Sequence, residues 1–151
     1  GGTMNVELRP VDKDNFDEIV AMPRQDHVAP NVKSLAQAWL YPSLRPRAIY
    51  ADGKLAGFCM SGIDDDADDP ADRGIPWIVR MYVLPDLHGR GIGSAAVRLL
   101  VAEIRRDYPA AARVRLSTHP ENAHAIGVYL KAGFRDTGIL DDGEEVFELA
   151  L

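Results

Sequence analysis

Met81-Tyr82-Val83-Leu84-Pro85-Asp86-Leu87-His88-Gly89-Arg90-Gly91-Ile92-Gly93-Ser94 joins an apolar run to a long amphipathic one through a loop dense in glycine. It reads as a strand, a turn and a helix start. Glycines at 89, 91 and 93 permit positive φ and let a ligand approach where a Cβ would block it. Successive N–H groups can then point into one concavity that opens onto the first turn of a helix. The unpaired N–H groups and positive dipole end of that turn attract phosphate. The loop reads as a pyrophosphate cradle, though the same six residues would also serve as a plain strand-to-helix turn. It lacks both the Gly-Lys-Ser/Thr ending of a nucleoside-triphosphatase loop and the G-x-G-x-x-G spacing of a dinucleotide fold.

Outward from this stretch, Trp77 to Leu84 is apolar except for Arg80, as expected of a central strand covered on both faces. Downstream, Val97, Leu100, Val101, Ile104 and Tyr108 keep helical spacing until Pro109. Val114 to Ser117 is the next strand, parallel to the central one through a right-handed crossover. Asn122 to Lys131 forms another helix, ended at Ala132-Gly133. Phe134 to Leu140 and Glu145 to Ala150 are strands joined by Asp141-Asp142-Gly143. Upstream, Val6 to Val11 is a strand and Asn15 to Met22 a helix. Ser34 caps a second helix through Leu35, Ala38 and Trp39, closed by Pro42 and Pro46. Arg47 to Ala51 and Leu55 to Gly62 make a hairpin around Asp52-Gly53-Lys54. Ile63 to Gly74 carries six aspartates and reads as a solvated loop. The order is β-α-α-β-β-β-α-β-α-β-β, an α/β (α+β) chain.

With 151 residues and 46% apolar content, a single domain over residues 4–151 is expected. Gly1-Gly2-Thr3 ahead of Met4 look like an added remnant. There is no apolar run of about 18 residues and no signal-peptide pattern, so no membrane role and a cytoplasmic location are expected. The lone Cys59 and the lack of zinc spacing favour a reducing compartment and no metal. A net charge of −6, from 23 acids and 17 bases, argues against nucleic acid and suits a cationic small-molecule partner. A homodimer is compatible with all of this.

His88-Gly89-Arg90-Gly91-Ile92-Gly93 resembles the coenzyme A loop of the GNAT acetyltransferases, Q/R-x-x-G-x-G/A, with His88 where the family has Gln or Arg. Asn122, Ala125, Tyr129 and Gly133-Phe134 resemble its second motif, N-x-x-A-x-x-x-Y-x-x-x-G-F. The two stand in the family's order within its string of elements. The resemblance implies the GNAT fold, a mixed sheet of about seven strands flanked by about four helices, and acetyl-CoA as co-substrate. It places the pyrophosphate on 88 to 94, including Ser94, which would also cap the helix. The pantetheine arm would lie along the backbone near Met81 and Val83.

Asn122 and Tyr129 are seven residues apart, so they share nearly one helix face at roughly 10 Å separation. In the family's slot an amine attacks the thioester, and Tyr129 can protonate the departing thiolate; the alternative is a packing tyrosine. Asn122 binds the cofactor or caps its helix. A central-strand carboxylate serves many GNAT enzymes as base, whereas Arg80 stands on this strand and invites an ion pair with Glu148.

His27-Val28-Ala29-Pro30-Asn31-Val32-Lys33-Ser34-Leu35-Ala36-Gln37-Ala38 resembles the F-V-A-P-N-x-x-S-L-A-Q-A signature of the spermidine/spermine (diamine) acetyltransferase branch. That implies a polyamine acceptor, with Asp26, His27, Asp64, Asp65 and Asp66 as candidates for holding it or accepting its proton. An antibiotic amine, a protein N-terminus and a noncatalytic acyl-CoA-binding module remain alternatives.

Overall fold

The Asp52-Gly53 hairpin joins β2 (Arg45–Ala51) to β3 (Lys54–Asp64), and Ala56 through Gly62 lie buried at the centre of the sheet. In the computed structural model, which describes residues 4–65 and 67–151, these strands follow β1 (Val6–Pro10), α1 (Phe16–Val20) and α2 (Asn31–Leu40). After them come β4 (Ile75–Val83), α3 (Ile92–Asp107), β5 (Arg113–Thr118), α4 (Ala123–Lys131), β6 (Arg135–Asp141) and β7 (Glu144–Ala150). The seven strands pair in the order β1-β2-β3-β4-β5-β7-β6, with β4 and β5 parallel and the other neighbours antiparallel.

The apolar stripe of α3 (Ile92, Val97, Leu100, Ile104) is buried with Ile49, Cys59, Val114, Leu116 and Phe147 on one side of the sheet. The opposite side buries Ile19, Ala48, Phe58 and Met60, with Leu35 and Ala38 of α2 against them. Each helix pair covers one face, which makes three layers. No helix among the described residues is long and apolar enough to cross a membrane.

Several expectations are corrected. The second helix begins at Asn31 rather than after Ser34: Pro30, with φ −56° and ψ 138°, leads in without a side-chain cap. Ser34 is buried inside the helix and accepts a hydrogen bond from Arg80 Nε at 3.1 Å. Trp39 points outward and is 89% exposed, because the face that packs carries Leu35 and Ala38. The aspartate stretch is partly built. Asp64 ends β3, Asp69 Oδ1 accepts from Ala71 N, and Asp72 pairs with Arg115 at 3.1 Å. Asp66 lies outside the described residues.

Arg80 does not pair with Glu148. Its Nη1 donates to Val79 O of its own strand at 2.7 Å and its Nη2 to Gln37 Oε1 of α2 at 3.4 Å. Glu148 instead accepts from Arg115 Nε at 2.9 Å and Arg135 Nη2 at 3.1 Å. The strand pleat explains the swap. Glu148 is directly opposite Arg115 on β5 and Arg135 on β6, whereas Arg80 is opposite Met60.

Two features of β4 prepare the site. Its pairing with β3 steps from Met60↔Arg80 to Ser61↔Ile78, which leaves Val79 as an extra, bulged residue. Its pairing with β5 is confined to Trp77↔Arg115 and Ile78↔Leu116, so the strands part beyond Ile78. Gly57 holds the parted segment from the other side. A Cβ there would overlap the carbonyl oxygen of Tyr82. Gly57→Ala should therefore lower stability by about 1–3 kcal/mol or more, the scale of overpacking, as read by urea denaturation. An unchanged midpoint would show that the backbone relaxes freely at this approach.

Candidate active site

The loop after β4 enters α3 through two glycines with φ +80°, Gly89 and Gly91, and Gly91 is the helix N-cap with no side-chain cap. Residues 92 to 94 open α3, so their N–H groups precede any intrahelical acceptor and face outward from the helix start. Ser94 therefore sits at the third helical position rather than at the cap, and it is buried. A cavity of about 330 Å³ is lined by Gly89, Gly91, Gly93 and Ser94 on the loop side and by His124 and Lys131 from α4. Lys131 adds a cation and the glycines leave room for bulk, so the residues fit a pyrophosphate. Arg90 is exposed on the loop and Ile92 is buried in the core beneath it.

Next along the cleft is a narrow slot of about 70 Å³ between Met81 and Val83 of the parted strand and Asn122, Ala125 and Tyr129 of the α4 side. Asn122 Oδ1 caps α4 by accepting from Ala125 N at 3.2 Å. The carbonyl of Val83 accepts from Gln25 Nε2 at 2.6 Å and from His88 Nε2 at 2.9 Å. A carbonyl oxygen has two lone pairs, so a ligand amide arriving there takes the place of one of these donors. Since a carbonyl can only accept, Nε2 of His88 is the donor in this contact. The His88 ring stacks on His124 with centroids 4.0 Å apart and planes 11° apart.

The slot opens into a cavity of about 780 Å³ whose walls include Tyr129, Arg80, His27, His119, Asp141 and Glu144. Tyr129 is 7% exposed and packs tilted against Phe134 at 6.2 Å. Burial, then the nearby Cys59 and Glu144, push its hydroxyl well above the ordinary tyrosine range. It stays protonated at neutral pH, the form that a proton donor needs. Burial draws the Arg80 guanidinium below its ordinary value, with Glu144 opposing.

Of the residues proposed for the acceptor, His27 lines this cavity, with a strained φ of +65° and its ring stacked on His119 at 4.0 Å. The ligating atoms of His27, His119 and Glu121 lie within 4.8 Å of one another. Parallel rings send their in-plane lone pairs side by side, however, and His119 Nδ1 already accepts from Glu121 N at 3.1 Å. The trio is a stacked rim rather than a converging ligand set. Asp26 is exposed on the loop before it. Asp64 lines a neighbouring cavity of about 280 Å³ that shares Arg80, Ser117 and Asp141 with the large one, and Asp65 is exposed.

Sequence reasoning missed Gln25, Ser117, Glu144, His124 and Lys131. The last two were within its reach, since 124, 127 and 131 follow helical spacing and line the cradle together. Gln25 and Glu144 were not, because only the fold brings a loop after α1 and the start of β7 to β4 and α4.

The model of the acetyltransferase (GNAT) family matches residues 11–134. The chain belongs to this family. The spermine/spermidine N(1)-acetyltransferase of Bacillus subtilis (strain 168) is 28% identical over 148 residues, covering 95% of this chain and 97% of that protein. A mycothiol acetyltransferase of Clavibacter sepedonicus is 32% identical over 108 residues, 70% of this chain but 31% of that protein. Among solved structures, an aminoglycoside acetyltransferase in complex with coenzyme A superposes with a TM-score of 0.78 at 21% identity, covering 97% of this chain and 95% of its own. The seven-stranded sheet with its four helices is thus the GNAT fold, and the protein is an acetyltransferase.

Two outcomes test the GNAT cradle. Gly91→Val places a β-branched residue at φ +80°, where no atom stands within 4 Å of the new Cβ. The fold should survive while calorimetric affinity for coenzyme A is abolished; unchanged affinity would misplace the cradle. In the stacked pair, partial removal from water and then the neighbouring His88 hold His124 below the ordinary histidine value. Its NMR titration midpoint should lie below about 6.5. It should rise only part of the way in His88→Ala, because the first cause remains.

Proposed function

We propose that the protein moves an acetyl group from acetyl-CoA to a primary amine of a linear polyamine such as spermidine or spermine. One observation carries this reading. A phosphate cradle continues through the slot beside Met81 and Val83 into a cavity where Tyr129 meets a rim of acids. Acetyl-CoA, when bound, supplies the acetyl group as an activated thioester. The backbone of 88 to 94 and Lys131 hold its pyrophosphate, and the parted edge of β4 holds its arm as an added strand. Asn122, whose oxygen is committed to the helix cap, has its amide N–H groups left for the slot. Tyr129 Oη gives its proton to the departing sulfur.

The polyamine assignment draws on the named activity of the Bacillus subtilis relative and on charge. Asp141 and Asp142 line the large cavity, and Asp64 lines the adjoining one, where the far end of a long amine would be met. Asp26, His27 and Asp65 complete the candidates for steering it.

Tyr129→Phe should lower turnover by roughly 10²-fold or more, with coenzyme A affinity changing far less. A mutant with wild-type turnover under chemistry-limited conditions would make Tyr129 a packing residue. The reacting amine must be neutral, so the rate should climb with pH. Because the Tyr129 hydroxyl is held above its ordinary value of about 10, its ionisation should impose no fall below that pH. Exposed acids are screened over about 8–10 Å at moderate ionic strength, so the KM for spermidine should rise with salt. Strong turnover of a monoamine or peptide N-terminus with none for spermidine or spermine would sink the acceptor assignment. Coenzyme A binding without transfer to any amine would make the protein a binding module.

A further inference from the structure

The central strand presents Val79 and Arg80 at the parted segment, so it offers no carboxylate to receive the proton that the amine must lose. Among the described residues, three carboxylates line the same cavity from elsewhere: Asp141, Asp142 and Glu144. Glu144, the first residue of β7, is half-buried at the base of the β6–β7 turn and lines the cavity together with Tyr129. Ser117 of β5 donates from Oγ to its Oε1 at 2.8 Å, which fixes one oxygen and leaves Oε2 for a ligand. Its charge reaches both Tyr129 and Arg80, raising the proton affinity of each, so it stands near both walls.

The other groups around the cavity suit the task less well. Asp141 and Asp142 are exposed on the turn. His119 is tied through Nδ1 to the backbone and stacked on the exposed His27. Arg80 is bound to Ser34, Val79 and Gln37, and Lys33 is an exposed cation.

We infer that Glu144 is the catalytic proton acceptor for the amine, oriented by Ser117 and paired across the cavity with Tyr129 as donor. This rests on the reading of that cavity as the amine site. The neutral amine nitrogen forms the C–N bond as the C–S bond breaks. The proton released from nitrogen passes to Glu144 Oε2, and the sulfur takes the proton of Tyr129 Oη. Exchange through solvent returns the proton from Glu144 to Tyr129, so both groups end as they began. A negative charge at this point also offsets Arg80, allowing a cationic amine to approach a strand that carries a guanidinium.

The test is Glu144→Gln, which keeps the size and an acceptor for Ser117 but cannot take a proton. Turnover of whichever amine the wild type uses best should fall roughly 10²-fold or more. Spermidine, or that amine, should still bind the coenzyme A complex within a few-fold by calorimetry, and coenzyme A affinity and melting temperature should be unchanged. In Glu144→Ala, added formate should restore part of the lost rate, which a structural role would not allow. Turnover within about twofold of wild type would overturn the assignment. So would a loss of amine affinity as large as the loss of rate, which would make Glu144 a binding carboxylate. A wild type that prefers an amine other than a polyamine, with Glu144→Gln still impaired on it, would overturn only the acceptor reading. A wild type that acetylates nothing would overturn both.

Discussion

The parting of β4 from β5 after Ile78↔Leu116 is the constraint on which the site depends. Two parallel neighbours that stop exchanging hydrogen bonds leave backbone groups that must find other partners. Along β4, Gln25 and His88 take the carbonyl of Val83, while the gap between the strands becomes the slot that Tyr129 and Asn122 line from the α4 side. The bulge at Val79 falls where the ladder with β5 ends, and the extra residue turns the strand away without disturbing its ladder to β3 on either side. Gly57 completes the arrangement. Without a Cβ it lets β3 approach the segment that has lost its other neighbour.

Charge is distributed so that this opening faces acids at the cavity while several arginines are held by partners. Glu148, 8% exposed, collects Arg115 and Arg135, and Asp72 reaches Arg115 from the aspartate stretch. Arg80 is drawn toward α2 by Ser34 and Gln37. Glu144 is left with a neutral hydroxyl from Ser117 as its hydrogen-bonding partner. One oxygen of Glu144 is held by a hydroxyl and its other oxygen stays open, whereas both oxygens of Glu148 are taken, one by Arg115 and one by Arg135. That difference separates Glu144, on the first residue of β7, from Glu148 farther along the same strand.

The α1–α2 connection borders both the slot and the large cavity. Gln25 reaches the carbonyl expected to meet the cofactor arm, and two residues later His27 lines the large cavity. Tyr82 donates to the carbonyl of Pro23 at the start of the same connection. One short connection thus supplies part of the wall of both the slot and the large cavity.

The sequence by itself determined the order of the elements and, through its resemblance to the two GNAT motifs, the family. The element order rests on local physics: glycines where φ is positive at 89 and 91, helical spacing along α3 and α4, and a turn at Asp52-Gly53. Asn122 and Tyr129 were legible too, since helix periodicity fixes their shared face. The start of α2 was misjudged because Ser34 looks like a cap, while its hydroxyl is spent on Arg80 from a strand far along the chain. The partner of Arg80 and the role of Glu144 escaped for the same reason. Which carboxylate meets which cation depends on strand register and on where a ladder stops, and those are set by packing between segments distant in sequence. Periodicity tells which face a residue occupies; only the tertiary structure decides what stands opposite it.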